Sequence, residues 1–501
     1  MSIAAEQLSN HLQCPVGRAH TPADAHTGAA GGAACGDLIR ISIALDRDSP
    51  HALIQDAGFD ASGCGATIAA GSAAVSLLRG TPLLSAAQLG AHDIAHELGG
   101  LSVAKRHAAE LAADALHRAL GGAARDCAML APTEGRTLVA MSGGVDSAVA
   151  ALLVAQDGHQ AVGVTLELWS DPEGDGDLSC CSAQAVRGAR QLAHELRMPH
   201  FSIDLRAEFR AGVVDGWLSD HARGLTPNPC VRCNGNVRLD AMLELARRLG
   251  SETLATGHYA RVVLSPPAQG SPSAEDQAAT ESPAPLLRTA ADIAKDQSYV
   301  LSALAPASLA RMRFPLGDMH KQQVRQLAQH AGLDVARKRD SQDLCFLAGT
   351  RHGDFLERHG GLATHPGPIH DQQGTVLGEH AGAHRYTVGQ RHGLGISARQ
   401  PLYVLSTDTR ANVVTVGPRH QLLAAALTVR DATLHRDARC VDGVRVRAHG
   451  RRFPCRLPGE LDAGEHPHVT VQLEEPAERT APGQFACLYA GELVVGYGTI
   501  A

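Results

Sequence analysis

The hexapeptide Ser142-Gly143-Gly144-Val145-Asp146-Ser147 lies between an apolar run ending at Met141 and a run of helical spacing beginning near Ser147. Paired glycines let a backbone approach a phosphate closely. A following helix supplies N–H groups without intrahelical partners and the positive end of its dipole. Such a loop constrains the chain to a strand–loop–helix unit on a parallel sheet, and the flanking text agrees. Thr137–Met141, Gln160–Trp169, His200–Asp204 and Thr253–Ala255 read as buried strands; Ser147–Gln156, Ala183–Leu196 and Arg238–Leu249 read as helices between them. That alternation predicts an α/β domain with helices on both faces of a parallel sheet. The loop has no Walker lysine, so it is not built to grip a γ-phosphate through that residue.

A chain of 501 residues exceeds what one core usually serves, and a multidomain protein is expected. Residues 1–125 read as an α+β unit, with a strand over Ile39–Leu45 and a small-residue helix over Ala66–Leu78. A helix over Val103–Ala119 is predicted to stop at Gly121-Gly122. The α/β domain is expected over 136–345, with a low-complexity, disordered insertion at 265–285. Short strands separated by Gly, Pro and Asp predict a central β domain over 346–424 and a β-barrel over 425–501. The apolar runs are too short to span a bilayer, and the first ten residues lack the blocks of a signal peptide. A soluble, cytoplasmic protein with no membrane partner is expected.

The net charge of −7 argues at first against a polyanionic partner. Residues 1–130 carry 12 acids against 8 bases, and 265–285 carry three acids and no base, which accounts for the whole excess. Residues 436–456 hold seven arginines and two aspartates. Such a patch suits a polyanion, with a solvated charged face as the alternative. Aromatics are only 3% of the chain, so a nucleic acid would be gripped by its backbone more than by stacking.

Twelve cysteines without a secretory signal read as metal or redox chemistry rather than a disulfide framework. Cys230 and Cys233 form a CxxC before a helix, and Cys345 follows the basic stretch Arg337-Lys338-Arg339. Cationic neighbours raise the thiolate fraction of a cysteine. Sulfur carried on such a thiol as a persulfide is a competent nucleophile, and a second thiol can release it by forming a disulfide. The alternative is an iron–sulfur cluster held by Cys230, Cys233 and Cys345, with one open iron presenting sulfide. Cys180-Cys181 reads as local structure, and Cys14, Cys127, Cys440, Cys455 and Cys487 as packing residues.

The SGGVDS string resembles the pyrophosphate loop of the ATP-pyrophosphatase superfamily, with its adenine-nucleotide-hydrolase-like fold. From residue 136 onward the chain resembles the bacterial tRNA-specific 2-thiouridylases. The text that carries this includes Ala255-Thr256-Gly257-His258-Tyr259, Lys295-Asp296-Gln297-Ser298-Tyr299, Gly389-Gln390-Arg391-His392-Gly393-Leu394-Gly395 and Pro482-Gly483-Gln484. The resemblance implies ATP with Mg2+, and adenylation of a wobble uridine followed by sulfur transfer. It implies Cys233 as nucleophile and Cys345 as persulfide carrier. Ala140, Met141, Ser142, Gly143, Gly144, Val145, Asp146, Ser147, Leu166 and Gly257 would form the ATP site. Asn228, Pro229 and Cys230 would face the target base. His258, Lys295, Asp296, Gln297, Arg447 and Gln484 would contact tRNA, those for Lys, Glu and Gln being the family's substrates. A cysteine desulfurase or another persulfide donor is the implied partner. The chain departs from the family pattern at Gly235, where a lysine is frequent, and at Ala448, where an aromatic is frequent. A small-molecule amide synthetase of the same superfamily would need neither Cys233 nor Cys345.

Residues 1–122 resemble the NifU-like (IscU-type) iron–sulfur scaffolds through Cys35-Gly36-Asp37, Gly63-Cys64-Gly65-Ala66-Thr67 and Lys105-Arg106-His107. The resemblance implies Cys35, Asp37, Cys64 and His107 as ligands of iron, zinc or an iron–sulfur cluster, groups that thiolate and imidazole suit. The family usually has a cysteine after this histidine, where Ala108 stands here. Cys127 is a candidate replacement; a degenerate docking domain is the alternative. A cluster scaffold or carrier is accordingly the second functional reading.

Overall fold

The computed structural model describes residues 3–31, 36–46, 48–171, 182–265, 284–338, 344–347 and 349–501. Cys35, Cys180, Cys181 and the stretch 339–343 preceding Cys345 lie outside the described residues.

The N-terminal unit is an antiparallel sheet of β1 (His26–Gly31), β2 (Leu38–Leu45) and β3 (Ile54–Ser62), in that order, covered by helices. Ile39, Ile41 and Ile43 of β2 are fully buried at period two, as a sheet with one covered face requires. The helix Gly65–Ser76 presents Ala69, Ala70 and Ala73, and a Cβ at Gly71 would fall 2.3 Å from the Phe59 ring. Its small residues allow that close approach to the sheet.

The long helix of this unit differs from expectation. It runs unbroken over Arg106–Asp126, through the glycine pair predicted to end it. A Cβ at Gly121 would lie 1.9 Å from the carbonyl oxygen of Ser202, so this glycine is a packing contact and not a stop. Gly121→Ala should therefore destabilise the protein. The clash is with backbone and costs about 1–3 kcal/mol, against roughly 1 kcal/mol of helix propensity returned by alanine. A melting temperature equal to or above that of the unmodified protein would contradict this.

The second unit is a five-stranded parallel sheet in the order β10 (Met312–Arg313), β7 (Thr253–Ala255), β4 (Arg136–Ala140), β5 (Gln160–Glu167), β6 (His200–Asp204). The chain goes from β4 to β5 on one side and later returns to β7 on the other. The order thus reverses between β4 and β7, where open α/β sheets bind ligands at their carboxyl ends.

The N-terminal unit is packed onto this sheet and not merely tethered. Arg187 and Arg190 both bind Asp114, each at 2.6 Å, and His117 lies fully buried between the carbonyl oxygens of Leu89 (2.8 Å) and His200 (3.0 Å). Burial, with Arg190 adding to it, drives the His117 pKa well below the usual value. The connecting segment is bonded down as well, Leu130 N–H to Arg248 O and Thr133 N–H to Gly250 O. One hydrophobic cluster runs from Ala69 and Leu120 through Val164 and Phe201.

Two strands extend into the region expected to be a disordered insertion. β8 (Arg261–Ser265) pairs antiparallel with β9 (Ala284–Arg288), so Ser265, Ala284 and Pro285 belong to a hairpin; 266–283 lie outside the described residues. Phe346, Phe355 and Leu356 pack into the α/β core, so the helix His352–Gly360 sides with that domain. The central sheet follows in the order β12 (Val376–His380), β11 (Gly367–His370), β14 (Val413–Gly417), β13 (Tyr403–Asp408). The last unit is a closed six-stranded antiparallel barrel. β15 (Leu423–Leu434), β18 (Gly464–Glu478), β17 (Phe453–Arg456), β16 (Gly443–Arg445), β19 (Phe485–Ala490) and β20 (Leu493–Ile500) follow in order, and β15 pairs back onto β20. Closure leaves the barrel without an unpaired edge. Among the described residues no helix is long and apolar enough to cross a membrane.

Candidate functional site

β4 ends at Ala140, Met141 follows it in the core, and the chain turns at Gly143 with φ +67° into the helix Val145–Gln156. The Ser147 hydroxyl accepts from Ser142 N–H (3.1 Å) and donates to Gly144 O (3.0 Å), which fixes the loop from within. No side chain caps this helix, so its first N–H groups remain available to an anion. Gly257, in the loop after β7, packs directly on it: a Cβ there would lie 2.7 Å from Ser147 N. Leu166 is buried near the carboxyl end of β5. The two loops at the reversal of strand order thus meet.

Two lysines missed in the sequence complete the loop. Lys321 Nζ donates to both carboxylate oxygens of Asp146, at 2.7 and 2.8 Å, and Tyr259 OH donates to Oδ1 at 2.9 Å. Lys338 Nζ donates to Gly143 O at 3.0 Å. Two cations thus reach the loop from distant parts of the chain.

The cysteines occupy distinct settings. Asn228 caps the short helix Pro229–Cys233 by accepting from Cys230 N–H at 3.0 Å, with buried Pro229 at its first turn. Cys230 reaches solvent and Cys233 is buried, and neither is in a disulfide. The protein crowded around Cys230 pushes its thiol pKa up, against an opposing pull from Arg238. Cys345 is half-buried and free. Its neighbour Phe346 is seated among Trp217 (5.2 Å between ring centroids), Phe355 (5.2 Å), Phe209 (6.1 Å) and Trp169 (6.4 Å). These four aromatics thus anchor the segment that bears Cys345. Cys230, Cys233 and Cys345 do not converge as a ligand set: among the described residues one group of candidate ligands closes within 4.8 Å, and it is Asp37, Cys64 and His107. Cys455 and Cys487 are packing residues as expected, burial raising both thiols to about 12.

Several residues expected to face tRNA are instead engaged internally. The Asp296 carboxylate is buried and bound by Arg445 (2.7 Å), Ser298 Oγ (2.8 Å) and Ala290 N–H (3.0 Å). That contact also removes Arg445 from the basic patch. Gln297 Oε1 accepts from Tyr259 N–H at 3.0 Å, and Gln484 Nε2 donates to Thr226 O at 2.6 Å. His258 is half-buried against Thr256 Oγ1 (2.8 Å), and burial, reinforced by Arg238, lowers its pKa to about 3. Lys295 is half-exposed and Arg447 exposed, in keeping with a surface role.

In the N-terminal unit Asp37 is nearly buried, accepting from Thr67 Oγ1 (2.6 Å) and Cys64 N–H (3.0 Å), with His107 Nε2 at 3.4 Å. The Thr67 hydrogen bond is the largest of the contacts that lower its pKa. Carboxylate, thiol and imidazole in reach of one ion fit iron or zinc. Ala108 is fully buried. Cys127 cannot replace the absent thiol. It follows the far end of the helix that begins beside His107, about 30 Å away at 1.5 Å per residue, and its sulfur instead lies 3.3 Å from His26 Nε2.

Fold and site define a class: an ATP-pyrophosphatase-type α/β enzyme bearing a thiol helix, fused to a scaffold-type α+β domain. Four family models match in chain order: NifU-like N terminal domain (6–125), tRNA methyl transferase HUP domain (135–349), tRNA methyl transferase PRC-barrel domain (353–418) and Aminomethyltransferase beta-barrel domain (424–500). The Bifunctional protein NifU/MnmA of Rubrobacter xylanophilus is 42% identical, covering 99% of this chain and 98% of that protein. The tRNA-specific 2-thiouridylases MnmA of Geobacter metallireducens and Chloroflexus aurantiacus are each 40% identical over 73% of this chain, and 96% and 98% of their own lengths. The chain belongs to the tRNA-specific 2-thiouridylase (MnmA) family, in the form fused to a NifU-like domain.

Proposed function

We propose that this chain is an ATP-dependent tRNA-uridine 2-sulfurtransferase, converting a wobble uridine to 2-thiouridine with release of AMP and pyrophosphate. The observation that carries this is the open phosphate loop, furnished with Lys321 and Lys338, in one domain with Cys233 and Cys345. In the first step the uridine C2 oxygen attacks the α-phosphorus of ATP and pyrophosphate leaves toward the helix N-terminus, where N–H groups and Lys321 receive its charge. The terminal sulfur of a Cys345 persulfide then attacks C2, and AMP departs. Cys233 attacks the Cys345 sulfur, releasing 2-thiouridine and leaving a disulfide that a dithiol reductant reopens. Mg2+ prefers oxygen donors; the loop's carboxylate, Asp146, is engaged by Lys321 and Tyr259, so the ion would be held chiefly by the nucleotide's phosphates.

The substrates would be tRNAs for Lys, Glu and Gln, with Arg447 and Lys295 on the phosphate backbone. A cysteine desulfurase or similar persulfide protein would load the sulfur. Asp37, Cys64 and His107, with Cys35, would hold iron, zinc or a cluster as cargo in the fused domain. Mass analysis of nucleosides from tRNA treated with ATP and a persulfide donor tests the assignment. It should show uridine 16 mass units heavier, about the difference between sulfur and oxygen; an unmodified nucleoside pool with properly folded enzyme would refute it.

A further inference from the structure

Three segments far apart in the chain meet at the turn that precedes the thiol helix. Thr226 N–H donates to Pro482 O at 2.8 Å, and Thr226 O accepts from Gln484 Nε2 at 2.6 Å across 258 positions. Gly483, between them, sits at φ +88°, and a Cβ there would lie 3.0 Å from Leu225 Cβ and 3.1 Å from Thr226 N. Tyr299, fully buried, donates its hydroxyl to Phe485 O at 2.8 Å and lies beside the Asn228 side chain. The Asn228 amide oxygen in turn accepts from Cys230 N–H at 3.0 Å and so caps the thiol helix. Two ties thus join the barrel to this turn: Gln484 bonds it directly, and Tyr299, bonded to the start of β19, sits against its capping Asn228.

We infer that Tyr299 is a positioning residue, which with Gln484 latches the C-terminal barrel to the Asn228–Cys233 segment and so sets the thiol helix in register with RNA docked on the barrel. Neither residue needs to touch RNA to do this. A phenol hydroxyl and a carboxamide are required because each bridges backbone groups of one domain to the turn of another. Without the hydroxyl, Phe485 O loses its donor at a part-buried point, and the barrel's hold beside the Asn228 cap loosens.

The inference rests on the sulfurtransferase reading for its kinetic consequence, not for its structural one. Tyr299→Phe keeps the ring and removes only the latch. In the full-length protein it should lower the kcat of thiolation about tenfold to a hundredfold, as misplacement of reacting groups does. The Kd for tRNA should stay within about twofold, since the docking surface is intact. Amide hydrogen exchange over residues 226–233 should speed up in the same variant without any substrate. Gln484→Met, which removes the other donor, should reproduce the pattern and serves if Tyr299→Phe fails to fold. Unchanged kcat with unchanged exchange overturns the inference. So does a rise in Kd at constant kcat, which would make these residues part of the RNA grip. If the unmodified protein makes no thiouridine, the sulfurtransferase reading has failed, while the exchange measurement still decides whether the latch exists.

Discussion

Cys345→Ser should abolish thiolation, by roughly a thousandfold or more, while leaving the fold and ATP binding intact. A serine oxygen cannot carry a sulfane sulfur, so the lost function is chemical. The structure separates this from damage, because the segment is held by Phe346, buried among Trp217, Phe355, Phe209 and Trp169, and not by the half-buried thiol beside it. Cys233→Ser should fail differently. Attack by the persulfide on C2 needs only Cys345, so this variant should accumulate RNA joined to the protein by a disulfide that added thiol releases. The cluster scheme predicts the opposite pairing: both variants, and Cys230→Ser with them, should lose iron together. Mass analysis of the RNA–protein adduct and metal analysis of anaerobically purified protein separate the two. Wild-type thiouridine levels in Cys345→Ser would remove its carrier role.

The parts legible in the sequence are those whose cause is local. β4 to β7 are short apolar runs bounded by glycine and turn residues, and the phosphate loop falls between a strand and a helix that its own text announces. Gly121 was illegible because its reason is a carbonyl on another domain, 1.9 Å from where a Cβ would stand. The barrel was foreseen as a class, but the pairing of β15 with β20 depends on long-range register that no local pattern encodes. The site divides the same way. The motif residues Asp296, Gln297 and Gln484 were read outward, toward RNA, because nothing local distinguishes a polar side chain spent on a neighbouring domain from one kept for a ligand. Their partners, Arg445, Tyr259 and Thr226, come from other parts of the chain. The cations of the phosphate loop were missed for the same reason, Lys321 lying 175 positions and Lys338 195 positions from the groups they bind.

Lys321→Ala should be the most damaging change outside the cysteines, lowering kcat/KM for ATP by about a hundredfold to a thousandfold. Two effects act in the same direction. The lysine brings a positive charge to the loop that receives pyrophosphate, so its loss removes stabilisation of the departing charge. Its loss also strips Asp146 of the partner held at 2.7 and 2.8 Å, leaving Tyr259 OH as the one remaining hydrogen bond described for that carboxylate. An uncompensated carboxylate then faces the incoming triphosphate and repels it. The two effects are separable by a double-mutant cycle. Asp146→Asn combined with Lys321→Ala removes the repulsion but not the missing cation, so the double variant should bind ATP better than Lys321→Ala alone while still turning over slowly. Exchange of labelled pyrophosphate into ATP in the presence of tRNA reads the adenylation step without sulfur transfer. If Lys321→Ala exchanges at the normal rate, the salt bridge to Asp146 is structural only, and the charge that draws pyrophosphate away must come from Lys338 and the helix N-terminus.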